Sequence, residues 1–275
     1  MTRLLQVSDA HFGTERPEAV EALVALAQAR RPDLLVLSGD ITQRARRGQF
    51  EAARRFCERL SAGRWLAIPG NHDIPLYDVF TRAFAPYRGF VRCFGDDFAP
   101  VHEDDDTLVL GVRTTRRYRH KHGEVSDDPV AGIAAKLRAV PPEKLRVVVV
   151  HQPVDLPPER NQRNLLRGRE AAVRAWVDAG VDVVLGGHIH LPFMRLLSHT
   201  FPDLRRRAWA VQAGTAVSHR IRHDANNSVN LLEYRAGDAE AVCERWDFAG
   251  ADAGFLPIER HGLALDRGAI TSAAS

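Results

Sequence analysis

The sequence predicts an α/β fold built on parallel strands, and three observations carry that prediction. Five short apolar runs, at 4–7, 34–37, 65–68, 147–150 and 181–185, have the length and branched-chain content of buried strands. Each run stops at residues that bind hard divalent metals: Asp9 and His11, Asp40, Asn71 with His72 and Asp73, His151, and His188 with His190. Amphipathic segments of helical length lie between the first three runs, and crossover helices of that kind imply parallel strands. Open sheets present their chemistry in the crevice beyond the strand ends, so ligands scattered over about 180 positions of sequence can share one pocket.

The elements follow in order. The first seventy residues read β-α-β-α-β, with helices expected over 17–29 and 49–60. From 74 to 100 the chain carries Pro75, Pro86, Pro100 and several aromatics, which predicts a short helix over 78–84 and then irregular chain. Glu103 to Asp106 reads as a solvated turn before a strand at 107–112. A helix over 128–139 leads through Pro141 and Pro142 to the strand that ends at His151, and a helix over 170–179 covers the next crossover. After His190 the texture changes to short segments at 193–197, 208–212, 229–234 and 242–246, expected to continue as antiparallel strands.

The ligands interleave through the first 190 residues with no Pro/Gly/Ser linker between them, so residues 1–247 are expected to form one domain. Residues 248–275 are rich in Gly and Ala and read as a C-terminal tail, partly extended or disordered. From it Phe255, Leu256 and Ile258 could dock on the body or on a partner, a homodimer included.

A chain of 275 residues with 45% hydrophobic content can bury a large core, and a net charge of +3 does not mark a general nucleic-acid binder. Local charge is more telling. The stretch 113–122 holds no acid, and Arg160, Arg163, Arg167 and Arg169 follow soon after His151. Three cysteines without a C-x-x-C pair argue against both a disulfide framework and a thiolate zinc site, and point to a reducing compartment. The first ligand candidate arrives at residue 9, which leaves no room for a signal peptide, and no apolar run approaches the roughly 18 residues that cross a bilayer. The expected location is cytoplasmic, with no membrane partner.

Taken singly, the strand-end residues have ordinary explanations. Asp9 and His11 suit a turn, Asp40 a helix cap, and a lone His151 is more often a hydrogen-bonded core residue than a ligand. The segment from Gly186 to His190 is harder to read that way. Two glycines let the backbone approach something closely, while imidazoles at i and i+2 point the same way. The conjunction decides: carboxylate, imidazole and amide donors in order at five strand ends, without thiolate, suit two divalent or trivalent ions of manganese, iron or zinc.

The order D-x-H, G-D, G-N-H-D, a single H and then G-H-x-H resembles the calcineurin-like metallophosphoesterases. The resemblance spans residues 9 to 190, and Ser8, Gly39, Gly70, Asp73 and Gly187 also fall where that family's motifs place them. The spacings, the basic loop after Gly111 and the triplet Ala213-Gly214-Thr215 are most similar to the bacterial branch that holds the class III cyclic-nucleotide phosphodiesterases. What the resemblance implies is a four-layer α/β/β/α sandwich of two packed mixed sheets, with a dimetal site at the carboxyl ends of the strands. Asp9, His11, Asp40 and His190 would hold one ion, and Asp40, Asn71, His151 and His188 the other.

The implied reaction is hydrolysis of a phosphodiester in a small nucleotide substrate, cyclic ones included, by in-line attack of a hydroxide held between the metals. His72 would assist the leaving group, and Asp73 is expected to fix the His72 ring by accepting from its second nitrogen. Arg116, Arg117, Arg163 and His219 are candidates for holding the substrate. Three alternatives stay open: a nuclease, a lipid-sugar pyrophosphatase of the same superfamily, and a non-catalytic interaction scaffold. The basic stretches favour the nuclease, but no strand-binding domain or interleaved aromatics accompany them. The pyrophosphatases carry arginine where this chain has His72, and a scaffold usually lacks a ligand that this chain keeps.

Overall fold

In the computed structural model, which describes residues 1–60, 64–222 and 225–267, strands and helices alternate much as the apolar runs predict. His223 and the 268–275 end of the expected tail lie outside the described residues. The first half runs β1 (Thr2–Val7), α1 (Pro17–Arg30), β2 (Leu34–Leu37), α2 (Arg47–Leu60), β3 (Trp65–Ala67), α3 (Val79–Phe84), α4 (Arg88–Phe94), β4 (Val101–Glu103) and β5 (Thr107–Gly111). The second runs α5 (Asp127–Ala139), β6 (Leu145–Val149), α6 (Arg169–Asp178), β7 (Val183–Gly186), β8 (Phe193–Leu196), β9 (Trp209–Gln212), β10 (Ser228–Tyr234), β11 (Glu240–Phe248) and β12 (Phe255–Ala264).

These strands form two six-stranded mixed sheets, ordered β12-β11-β10-β1-β2-β3 and β4-β5-β6-β7-β9-β8. Side chains alternate across a strand, and that alternation builds the layers. Leu4, Val36, Val147, Val149, Val183 and Leu185 meet between the sheets. Their neighbours Leu5, Val7 and Leu35 turn outward under α1, α2 and α4, while Val148, Val150 and Val184 turn outward under α5 and α6. The result is the four-layer α/β/β/α sandwich. Both sheets are buried on two faces, which is why their central strands read as unbroken apolar runs rather than alternating ones.

Three of the departures from expectation share a cause, namely contacts made far away in sequence; a fourth is β4, whose Glu103 pairs with Leu108 instead of lying in the expected solvated turn. The irregular chain expected after α3 contains α4, whose Gly89 packs so closely on the Phe50 ring that a Cβ there would lie 2.5 Å from it. The expected antiparallel continuation holds for the β8–β9 pair and for β10 to β12, but β9 inserts beside β7 and runs parallel to it. The stretch expected to begin a tail at 248 instead ends β11 with Phe248 and supplies the edge strand β12. Phe255 and Leu263 are buried there, whereas Leu256 and Ile258 stay exposed. Ile258 is the extra residue of a β-bulge opposite Arg245 and Trp246, next to Pro257, a residue that sheets accept at an edge.

Candidate metal centre

The carboxyl ends of β1, β2 and β3 from one sheet and of β6 and β7 from the other open onto a common crevice. Of the seven non-glycine residues with positive φ among the described residues, five are Asp9, His11, Asp40, His188 and His190, at 46° to 74°. Left-handed backbone costs an L-residue about 1–2 kcal/mol, so five instances at the ends of three strands mark a site that the surrounding fold holds in place. It turns the chain sharply off each strand and keeps the donors at the rim of the sheets. Glycine makes the close approaches: a Cβ on Gly70 would stand 2.0 Å from the Asp40 backbone nitrogen, and one on Gly187 would stand 2.0 Å from Ser8 Oγ.

The donors gather in two groups that share Asp40. Asp9 Oδ2 accepts from Ser8 Oγ at 2.7 Å and from the His188 N–H at 2.9 Å. That leaves Asp9 Oδ1 buried with no hydrogen-bond partner, 3.2 Å from His190 Nε2 and 3.8 Å from His11 Nε2. His11 Nε2 and His190 Nε2 are 3.1 Å apart. Asp40 Oδ2 lies 3.8 Å from His11 Nε2, while its Oδ1 lies 3.3 Å from His151 Nε2 and accepts the His72 backbone N–H. His151 Nε2 also stands 3.2 Å from Asn71 Oδ1, and the His188 ring is 5.1 Å from the His151 ring. An orphaned carboxylate oxygen facing two imidazole nitrogens is a poor hydrogen-bond arrangement and a good one for a cation. The donor set fits two ions without thiolate, with Asp9, His11 and His190 on one side, Asn71, His151 and His188 on the other, and Asp40 between them.

Electrostatics agree. Burial opposes ionisation of Asp9 and Asp40, but the histidines around them outweigh it and hold both carboxyls well below the usual range. Burial takes His11 and His188 down to about 3, so both rings are neutral and ready to ligate. For His151 burial is overridden by Asp40, Asp9 and the Ser38 carbonyl, which carry it up to about 9. Its Nδ1 donates to that carbonyl at 2.9 Å and aims Nε2 into the site, while the Arg220 carbonyl does the same for His190.

His72 lines the crevice beside Asp40, with its ring 4.8 Å from that of His11. The expected Asp73 partnership is corrected by the geometry. His72 Nδ1 donates to the Gln43 carbonyl at 3.0 Å, and the Asp73 carboxylate turns the other way. There it accepts from the backbone N–H groups of Ile41, Thr42 and Gly70 and from the Thr42 hydroxyl. Burial and the Asp40 charge push Asp73 up to about 7 against the pull of those donors. Asp73 therefore braces the loop carrying Asp40 against the turn carrying His72, and touches neither the ring nor the crevice.

The crevice has a volume of about 250 Å³ and continues past the metal ligands between Arg44, Arg82, Lys121, Asn164, Arg220 and Arg222. None of the four expected substrate-holding residues lines it. Arg116 pairs with Glu124 at 3.3 Å and caps the carbonyls of Arg113 and Thr115. Arg117 donates to the Ala83 carbonyl, Arg163 follows the Asn161 cap of a single 3-10 turn, and the His219 backbone pairs with Thr14. The basic loop contributes His120 and Lys121 instead. Arg44, four residues past Asp40, could have been found from its nearness to a strand exit. Arg82, Arg220 and Arg222 carry no such mark. Arg220 Nε is buried without a hydrogen-bond partner, an unspent donor at the crevice wall.

Against known proteins, the calcineurin-like phosphoesterase family model matches residues 2–192. A curated relative, the glycerophosphodiester phosphodiesterase GpdQ of Enterobacter lignolyticus, is 29% identical over 173 residues, which cover 56% of this chain and 58% of that protein. The chain thus spans little more than half the length of that relative. Among solved structures, a dimetal phosphatase from Danio rerio superposes with a TM-score of 0.64 at 13% identity, covering 96% of this chain and 99% of its own. The purple acid phosphatase PPD1 of yellow lupin gives 0.65 at 13% identity, covering 96% of this chain and 53% of that one. Strand-end motifs, paired donor groups and the family match over most of the chain lead to one conclusion: the protein belongs to the calcineurin-like phosphoesterases.

Proposed function

We propose that the protein is a two-metal phosphodiesterase that hydrolyses small alkyl phosphodiesters, nucleotides and cyclic nucleotides among them. The observation that carries this reading is Asp40, whose two oxygens face different donor groups while its neighbour His72 presents a ring nitrogen to the same crevice. Bound there, the ions supply an activated water at neutral pH and neutralise charge on the phosphoryl oxygens. The chain's own residues do the rest. With its Nδ1–H held by the Gln43 carbonyl, His72 would pass a proton from Nε2 to the leaving oxygen as the P–O bond breaks. Arg44, Lys121, Arg220 and Arg222 hold the negative charge of the remainder of the substrate, and the crevice beyond the ligands accommodates the second ester group.

A panel of metal-reconstituted hydrolysis reactions tests the reading, using a cyclic nucleotide, a glycerophosphodiester, an aryl phosphodiester and an aryl phosphomonoester. Diesters should give the higher kcat/KM, and a clear preference for the monoester would overturn the assignment. The likeness to a glycerophosphodiester phosphodiesterase favours a glycerol-type diester as a second reading of the substrate, and the first two members of the panel separate the two. His72→Ala should lower turnover on alkyl diesters by about 10²–10⁴-fold with metal content unchanged. The loss should shrink on the aryl diester, whose leaving group departs without a proton. An equal loss on both would move His72 from proton donor to phosphate binder.

A further inference from the structure

Among the described residues, the exposed large apolar side chains are most densely grouped at one place, residues 76–84. Tyr77, Val79, Phe80 and Phe84 are 73–77% exposed, Leu76 is 38% exposed, and no residue of α3 is buried. The helix is held in place by arginine instead of apolar packing. Arg82 reaches inward from it to the carbonyls of Pro75 and Arg119, at 3.1 and 2.7 Å, and Arg117 reaches up from the basic loop to the Ala83 carbonyl at 2.6 Å. With its one inward arm spent on these bonds, α3 carries the Phe80 and Phe84 rings outward as a pair with centroids 4.8 Å apart. A contiguous apolar surface of this kind marks a contact with something outside the chain.

The surroundings say what that something is. Beside α3 runs a groove of about 320 Å³ with Arg44, Arg46, Arg47, Arg88 and Arg92 along its walls. Asp78 is the one acid lining it, and its carboxylate caps α3 by accepting the Thr81 N–H. Arg47 pairs with Glu51, whereas no ion pair engages Arg44, Arg46, Arg88 or Arg92 among the described residues. Exposed aromatics bordered by unpaired arginines are the two components of interfacial binding to anionic bilayers. A second copy docked face to face through a twofold axis would set these arginines against themselves.

We propose that α3 and the arginine groove beside it dock the protein on an anionic phospholipid surface, with Phe80 and Phe84 entering the headgroup boundary and the arginines holding lipid phosphates. Among the described residues no helix is long and apolar enough to cross a membrane, so the contact is peripheral. The metal crevice shares Arg44 and Leu76 with the groove, which places its mouth beside the docked surface. The proposal stands whichever phosphodiester is cleaved.

Vesicle co-sedimentation of the full chain tests it, comparing phosphatidylcholine alone with vesicles in which about a third of the lipid is phosphatidylglycerol. Binding should appear with the anionic vesicles and weaken as salt is raised. The double variant Phe80→Ser/Phe84→Ser should bind them at least about tenfold more weakly. Arg88→Glu/Arg92→Glu should lose about as much, at roughly fivefold per basic residue near such a surface. Neither pair lines the metal crevice, so both variants should hydrolyse a small soluble aryl diester at the parent rate, which also shows that they fold. Absent binding, equal binding to both vesicle types, or undiminished binding by the Phe variant would each overturn the proposal. So would self-association that the Phe variant abolishes, or saturable inorganic phosphate binding in the groove without vesicle binding.

Discussion

Asp40 serves both donor groups, one oxygen to each, so its loss should be felt twice. Asp40→Ala is expected to remove both ions and abolish activity, whereas His188→Ala should leave one ion bound; elemental analysis of the two variants checks the difference. His151 makes a second prediction. In the metal-free protein its pKa of about 9 keeps it protonated at pH 7, while a ligand must offer a bare Nε2. Metal loading at pH 7 should therefore release about one proton from this site, and apparent affinity should fall as pH drops. A pH indicator in weak buffer reads the release, and no release would mean that His151 is not a ligand. At this scale the sequence was informative where chemistry sits at the exit of an apolar run, as with Asp9, Asp40 and His151. It misled at Asp73, because a carboxylate next to a histidine in sequence can spend its oxygens on backbone amides of another loop, and nothing in the chain order says which.

The 113–122 loop shows how an element can be legible as basic and illegible as a surface. Arg113 lies over the Tyr87 and Phe98 rings, Arg116, Arg117 and Arg119 turn to Glu124 or to backbone carbonyls, and only His120 and Lys121 reach the crevice. Replacing Arg116 or Arg117 with Ala should leave KM for small diesters within about twofold, while Lys121→Ala should raise it about tenfold with kcat little changed. A reversed pattern in steady-state kinetics would return the loop's arginines to the substrate. Arginine supplies all but three of the 38 basic residues, so one more arginine at position 82 or 220 carries no signal of its own. The strand β12 escaped notice for a different reason. Pro257 and Gly262 break its pattern, and an edge position with a bulge is where a sheet tolerates them. Truncation after Gly254 should expose Phe248 and the β11 edge and remove the buried side chains of Phe255, Leu263 and Leu265. At about 1.5–3 kcal/mol for each buried apolar side chain, the loss in Tm should be about 10 °C or more by thermal melting.

Across the whole molecule, the first sheet supplies Asp9, His11, Asp40 and Asn71, and the second supplies His151, His188 and His190. Ions held between them would bind only the folded chain, so at a concentration of about 100 times Kd they should raise Tm by about 5–10 °C, and a chelator should reverse the gain. A melting temperature indifferent to chelation would place the ions, if bound, outside this seam. The overall architecture was legible because doubly covered strands need unbroken apolar runs, whereas the place of β9 between β7 and β8 depends on a crossover that no local pattern encodes. The division of ligands has a further consequence. Every carboxylate of the centre lies on one sheet, and the other faces it with imidazoles alone, so the ligands add attraction to the apolar packing between the sheets only when something positive sits among them. In the metal-free chain that role falls to the proton on His151. Its pKa rises from an unperturbed 6.5 to about 9 on folding, so the contribution is complete below pH 6.5 and is lost as pH climbs through 9. The proton is thus a placeholder for the metal: it offsets the carboxylate charge until an ion displaces it, and alkaline solution should lower the Tm of the empty protein while sparing that of the loaded one.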